Sequence, residues 1–232
     1  MPLSAAQKDL LDLYSADYNR GLTAAEATER RRKVDTGGLN SVGPPIKCPS
    51  WVCCLLPCIK HIPSMKLHRQ IRPEDAEVRR GNRWVRYDAP SLVRGDIIRV
   101  EDGDIVPADC TVLSLGLEPV DLNAEGGQGA NDGASSSIEL VVDVKDVTGE
   151  CKPRVSRMRS DGTAAPVRLL YGSHVNQGAC IAVVTAVGEQ TLLASLMKDG
   201  RWPPKCDLSL GLRSEVNVED EEIGLSLVER AT

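Results

Sequence analysis

From residue 76 to residue 187 the sequence runs in short apolar stretches cut by glycine, aspartate and proline. A chain punctuated this way has little room for long helices. AEVRR and RWVRY flank Gly81-Asn82, which predicts a β-hairpin closed by a two-residue turn. LVRGDIIRV, DGDIVPAD, CTVLSL, IELVVDV, RLLYGSHV and ACIAVVTAV each predict a further strand. TLLASLMK, residues 191–198, predicts a helix after the last strand. The expected fold class is mainly β, a β-sandwich or distorted jelly roll. Apolar residues make up 41% of the 232, enough for a core. Aromatics make up only 3% and Phe is absent, so the core has to be built from Val, Leu, Ile and Ala.

The first 40 residues follow a different pattern. Ser4-Ala5-Ala6-Gln7 is a capping box, and Leu10, Leu13, Tyr14 and Tyr18 recur at helical spacing, with Gly21 as the stop. Thr23-Ala24-Ala25-Glu26 is a second capping box, opening a helix through ATERRRKV that Gly37 and Gly38 end. A small N-terminal helical hairpin is expected. Its Arg30-Arg31-Arg32-Lys33 run reads as a solvated helix face rather than a nucleic-acid or lipid patch.

The expected organisation is a helical segment over 1–40, a Cys/Pro-rich linker over 41–75, a β domain over 76–200 and an acidic, disordered tail over 201–232. Within the β domain, residues 116–137 are rich in Gly, Ser and Asn and are expected to form a flexible insertion. Their glycines do not make a phosphate loop, because no Lys-Ser/Thr follows them. The tail contains Glu219-Asp220-Glu221-Glu222. The linker holds Cys48, Cys53, Cys54 and Cys58. Zinc on Cys54, Cys58 and His61 is disfavoured by the spacing. Acylation of Cys53 or Cys54 fits better, and a greasy packing linker is the preferred reading. WVCCLLPCI is too short to span a bilayer. Residues 48–62 are where peripheral membrane association would arise.

The net charge of −5 provides no general attraction for nucleic acid, and none is expected as a partner. The opening residues, MPLSAAQKDL, lack the layout of a secretory signal, so the eight cysteines are expected to be mostly free thiols in a reducing compartment.

Residues 143–153 read DVKDVTGECKP and place Glu150 beside a glycine after an apolar run. Residues 92–109, LVRGDIIRVEDGDIVPAD, precede this loop, and residues 171–187, YGSHVNQGACIAVVTAV, follow it. Taken in order, these blocks and the hairpin over 76–87 resemble the actuator domain of P-type cation-transporting ATPases, most closely the plasma-membrane proton pumps. Residues 21–40 resemble the helical region that precedes the first membrane helix of these pumps.

The resemblance implies a distorted jelly-roll actuator fold and a T-G-E loop, here Thr148, Gly149 and Glu150, that acts on an aspartyl phosphate carried by a separate phosphorylation domain. It implies Glu150 as the base that activates water, Gly149 as the point of close backbone approach and Thr148 as holder of the loop or of the water. Asp143 would brace the loop from its strand end. The complete family enzyme uses ATP and Mg; no cofactor is expected on this chain, whose partner would be a phosphorylation domain in cis or in trans.

The sequence departs from the family at several points. Arg94 stands where proline is usual, and Cys151 where the family has serine. The D-K-T-G-T and T-G-D-G-x-N-D motifs do not occur in these residues, and neither do two membrane helices between residues 41 and 76. Two functions stay open: an actuator portion that catalyses dephosphorylation, and a non-catalytic, actuator-like binding or regulatory module, with a truncated gene product as one origin of either. A generic ligand-binding β-sandwich is a third reading, weakened by the ordered blocks. The expected location is cytoplasmic, or on the cytoplasmic face of a membrane.

Overall fold

The computed structural model describes residues 4–33, 38–47, 61–116, 139–157 and 167–204. The cysteines at 48, 53, 54 and 58, all of the proposed 116–137 insertion after Gly116, and the acidic stretch beyond residue 204 lie outside the described residues.

Among the described residues, nine strands form two antiparallel sheets. β1 (Asp75–Arg80) and β2 (Arg83–Asp88) make the expected hairpin, with Val78 opposite Val85 and a turn at Gly81-Asn82. β3 (Ile97–Val100), β4 (Asp109–Leu115), β7 (Arg168–Leu169) and β9 (Cys180–Ala186) complete a six-stranded sheet of order β2-β1-β3-β9-β4-β7. β5 (Glu139–Asp143), β6 (Arg154–Arg157) and β8 (His174–Gln177) form a second sheet of order β6-β5-β8. The chain is therefore mainly β and sandwich-like, as the strand grammar predicts.

The larger sheet is covered on both faces, which explains the near-continuous apolar runs of its central strands. Ile98, Ala182 and Val184 face the inter-sheet core with Cys110, Leu140, Val142 and Val175. Ile97, Ile181 and Val183 point the other way, into a second cluster with Leu11 and Leu113. Register irregularities in the β4–β9 pairing lie between Asp109 and Cys110 and between Val112 and Ser114. Among the described residues the buried core is aliphatic apart from Tyr171, Trp202, Cys110 and Cys180.

Two expected strands are resolved differently. DGDIVPAD is not a strand: the bridge between Ile105 and His174 is its one ladder pairing with β8 among the described residues, and its polar backbone is satisfied irregularly, with Val106 N donating to Ser173 O at 2.8 Å and Val175 N to Asp104 O at 3.0 Å. RLLYGSHV is two strands on two sheets, because the chain turns a corner at residues 170–173.

The N-terminal helices are α1 (Ala5–Leu13) and α2 (Ala24–Arg32), and both predicted capping boxes are formed. α1 is shorter than the spacing of Tyr14 and Tyr18 predicts. It ends at Leu13, Ser15 takes a positive φ, and the carbonyls of Tyr14 and Ser15 are taken up by Arg30. The basic run is likewise not all solvated. Arg30 donates to Tyr14 O at 2.8 Å, Arg94 O at 2.9 Å and Ser15 O at 2.8 Å, and Arg31 donates to Ser91 O at 2.6 Å. Arg94, the residue in the proline position, lays its guanidinium over the Tyr14 ring at 4.7 Å. These contacts bind the helical segment to the β body. Arg30→Ala removes donors that three carbonyls share, and a loss of about 2 kcal/mol in urea unfolding is expected.

α3 (Pro63–Gln70), inside the stretch read as linker, was not foreseen. Its Leu67 packs on the main core, and His68 Nε2 lies 3.1 Å from Val42 O. Burial holds the His68 imidazole below its ordinary pKa. After β9, α5 (Leu192–Lys198) forms as expected, with Thr191 as its N-cap. Among the described residues no helix is long and apolar enough to cross a membrane.

Candidate functional site

β5 ends at Asp143, and the chain winds one helical turn, α4 (Lys145–Thr148), before β6 returns beside β5. Thr148, Gly149 and Glu150 thus stand together at one end of the smaller sheet, where the turn closes. Asp143 Oδ1 accepts from Lys145 N at 2.8 Å, an Asx-type bond at the entry to the turn. Val144 and Val147 are buried in the inter-sheet core and root it from below.

Gly149 ends the turn at φ 84°, ψ 2°, a left-handed conformation that a side chain would strain. Its N–H donates to Lys145 O at 2.9 Å. The Thr148 hydroxyl donates to Val144 O at 3.2 Å and accepts a long contact from Glu150 N at 3.4 Å, so it is committed to the loop. Cys151 Sγ reaches Gly149 O at 3.8 Å, a weak contact.

Glu150 projects from this braced turn with 45% of its side chain exposed. Both of its oxygens are gripped by one guanidinium: Arg154 Nε donates to Oε2 at 3.0 Å and Nη2 to Oε1 at 2.6 Å. That fork is the main reason the Glu150 carboxyl lies below its ordinary pKa, with burial opposing it. The pair also raises the Arg154 pKa. Glu150 is therefore a carboxylate at neutral pH, but a less basic one than a free glutamate.

Two residues of this site were missed by sequence reasoning. Arg154 follows a proline four residues after Glu150, and its spacing alone carried no signal. Trp202 lies past the boundary read as the start of a tail, yet it is 5% exposed, and its Nε1–H donates to Asp146 O at 2.9 Å. Its ring meets His68 edge-on, with centroids 6.4 Å apart. A lone tryptophan before Pro203-Pro204 was the available hint. Trp202→Phe keeps most of the ring and deletes the donor. It is expected to cost about 1 kcal/mol and to speed hydrogen exchange at the Thr148 and Gly149 amides.

Comparison with known proteins bears on the β body that carries this loop. Residues 70–124 match the family model of the P-type ATPase actuator domain. That stretch, 55 of the 232 residues, is similar to the actuator domain of P-type ATPases. The matched stretch of the actuator domain runs from the end of α3 through β4 and stops before Thr148. A curated relative, "Probable plasma membrane ATPase" of Dictyostelium discoideum, is 29% identical over 112 residues, which are 48% of this chain and 8% of that protein. The chain therefore corresponds to a small part of the length of this relative. A solved zinc-transporting PIB-type ATPase in an E2.Pi state aligns at 20% identity with a TM-score of 0.40, over 57% of this chain and 17% of that one.

Proposed function

We propose that this actuator domain works in a proton-pump-like P-type ATPase, where Thr148-Gly149-Glu150 promotes hydrolysis of an aspartyl phosphate held on another domain or chain. The observation that carries the reading is an ionised, half-exposed carboxylate at the tip of a turn braced by Asp143, Val147 and Trp202. Rigid presentation of a base is what phosphoryl hydrolysis asks of a protein, since the rest of its catalysis is positioning and charge. Glu150 takes a proton from water as the water oxygen bonds to phosphorus. The bond from phosphorus to the aspartyl oxygen breaks, and the aspartate leaves as a carboxylate with the electron pair. Inorganic phosphate is the other product.

On this reading the isolated chain neither hydrolyses ATP nor moves an ion, and it works at the cytoplasmic face of a membrane, with residues 48–62 as the point of peripheral contact. ATP and Mg belong to the phosphorylating partner.

A second reading is a binding or regulatory module without chemistry. It is favoured by the Arg154 fork, which occupies both oxygens of Glu150 and lowers its basicity.

The two are separated by trapping the phosphoenzyme of a proton pump whose own T-G-E loop is disabled, adding this chain and following phosphate release. Release abolished by Glu150→Gln supports the catalytic actuator. Binding without release supports the module.

A further inference from the structure

We infer that Arg154 is itself a phosphoryl-contacting residue, so that the loop presents a base and a cation as one preassembled unit. The inference rests on the reading of Glu150 as the base. Arg154 opens β6 and pairs in register with Val142 of β5, so its backbone is held by the sheet and not by the loop. From there the guanidinium reaches back to the loop tip and grips Glu150 through Nε and Nη2.

A guanidinium carries five N–H donors in a rigid plane, and this grip uses two of them along one edge. The end-on edge, Nη1 with the second hydrogen of Nη2, remains, and among the described residues it has no acceptor. The side chain is 34% exposed, beside the half-exposed Glu150. Arginine matches phosphoryl oxygens through such two-donor edges. A phosphoryl group brought up to Glu150 therefore meets the open edge of Arg154 without the ion pair having to break.

The arrangement also answers an electrostatic difficulty. A bare glutamate approaching a phosphoryl dianion is repelled, whereas the Glu150–Arg154 unit is neutral overall. Once there, the cation offsets charge on the equatorial oxygens while the carboxylate faces the water. The ligand class is an acyl phosphate, the mixed anhydride of a carboxylic and a phosphoric acid.

Acetyl phosphate is the simplest such molecule and can be added to the whole chain. The Arg154 Nε–H resonance is followed through a titration at constant ionic strength, with acetate as control, in wild type and in Glu150→Gln. Release of inorganic phosphate is measured in the same samples.

A saturable shift with acetyl phosphate in both proteins, and none with acetate, is the expected result. Absence of a shift in both, or an equal shift with acetate, overturns the assignment whether or not hydrolysis occurs. Hydrolysis that requires Glu150 separately tests the base, so a shift without hydrolysis keeps Arg154 and removes the base. Arg154→Lys keeps the charge but loses the planar fork, and is expected to reduce any Glu150-dependent hydrolysis by about tenfold with an unchanged backbone spectrum. A wild-type rate in Arg154→Lys also overturns the assignment.

Discussion

Asp109→Ala is expected to lower the unfolding free energy by about 3–5 kcal/mol in urea denaturation. Asp109 is buried, and its two oxygens serve different parts of the chain. Oδ1 accepts from Tyr171 N at 2.8 Å, at the corner between β7 and β8; Oδ2 accepts from Leu192 N at 2.7 Å, in the first turn of α5. Alanine leaves both N–H groups without acceptors, that of Tyr171 buried and that of Leu192 partly buried, and a buried loss of this kind costs about 1–3 kcal/mol.

Asp109→Asn is the informative companion. Its single oxygen can serve one N–H, and its amide then points a donor at the other, so it too is expected to destabilise. The pH dependence has a definite sign. Burial pushes the Asp109 carboxyl above its ordinary range despite the two N–H donors. The folded state thus holds this proton to higher pH than the unfolded chain does. The favourable contribution from this group is complete below about pH 3.9 and declines as pH rises through the folded value. Asp109→Asn removes that part of the slope.

Glu150→Gln is expected to slow phosphate release from the trapped phosphoenzyme by about 10²–10⁴-fold while changing unfolding free energy by less than about 0.5 kcal/mol. The two halves of this expectation come from the same geometry. A half-exposed ion pair contributes little to stability, and the turn that carries Glu150 is held by Asp143, Val147 and Trp202 instead. A loss of several kcal/mol would make Glu150 a structural group. The lowered Glu150 pKa keeps the base ionised into more acidic solution than a free glutamate. Release by wild type is therefore expected to stay flat through pH 5–7, where a free glutamate of pKa about 4.3 would already begin to protonate. In Arg154→Ala the acid limb should move up toward that ordinary value.

The features that sequence reasoning reached are those with local causes. The β1–β2 hairpin followed from Gly81-Asn82 between alternating stretches, and both capping boxes formed from side chains three residues apart. The features it missed depend on distant partners. The helical spacing of Tyr14 and Tyr18 was genuine, since both pack against the Leu11 cluster, but Arg30 draws off the carbonyls that would have continued α1. Arg30 and Arg31 looked solvated because a charge run carries no sign of the carbonyls awaiting it across the fold. DGDIVPAD alternates like a strand, yet its backbone bonds go irregularly to residues 173–175. Thr148, Gly149 and Glu150 were singled out from their place among the ordered blocks, and the structure sets them together where the turn after β5 closes. Arg154 and Trp202 act through contacts that a linear reading cannot supply.

The corner at residues 170–173 joins the two sheets, and it is thoroughly tied. Tyr171 N is held by Asp109, Gly172 N donates to Val106 O at 3.0 Å, and Ser173 donates from both its N–H and its hydroxyl to Leu170 O. Arg30 fastens the N-terminal helices to the same body. Among the described residues, these bonds and the buried Val144 and Val147 tie the corner, the N-terminal helices and the turn at Glu150 into one body. In the proposed dephosphorylation such a body would serve as a crank, turning as one piece with Glu150 at its working tip.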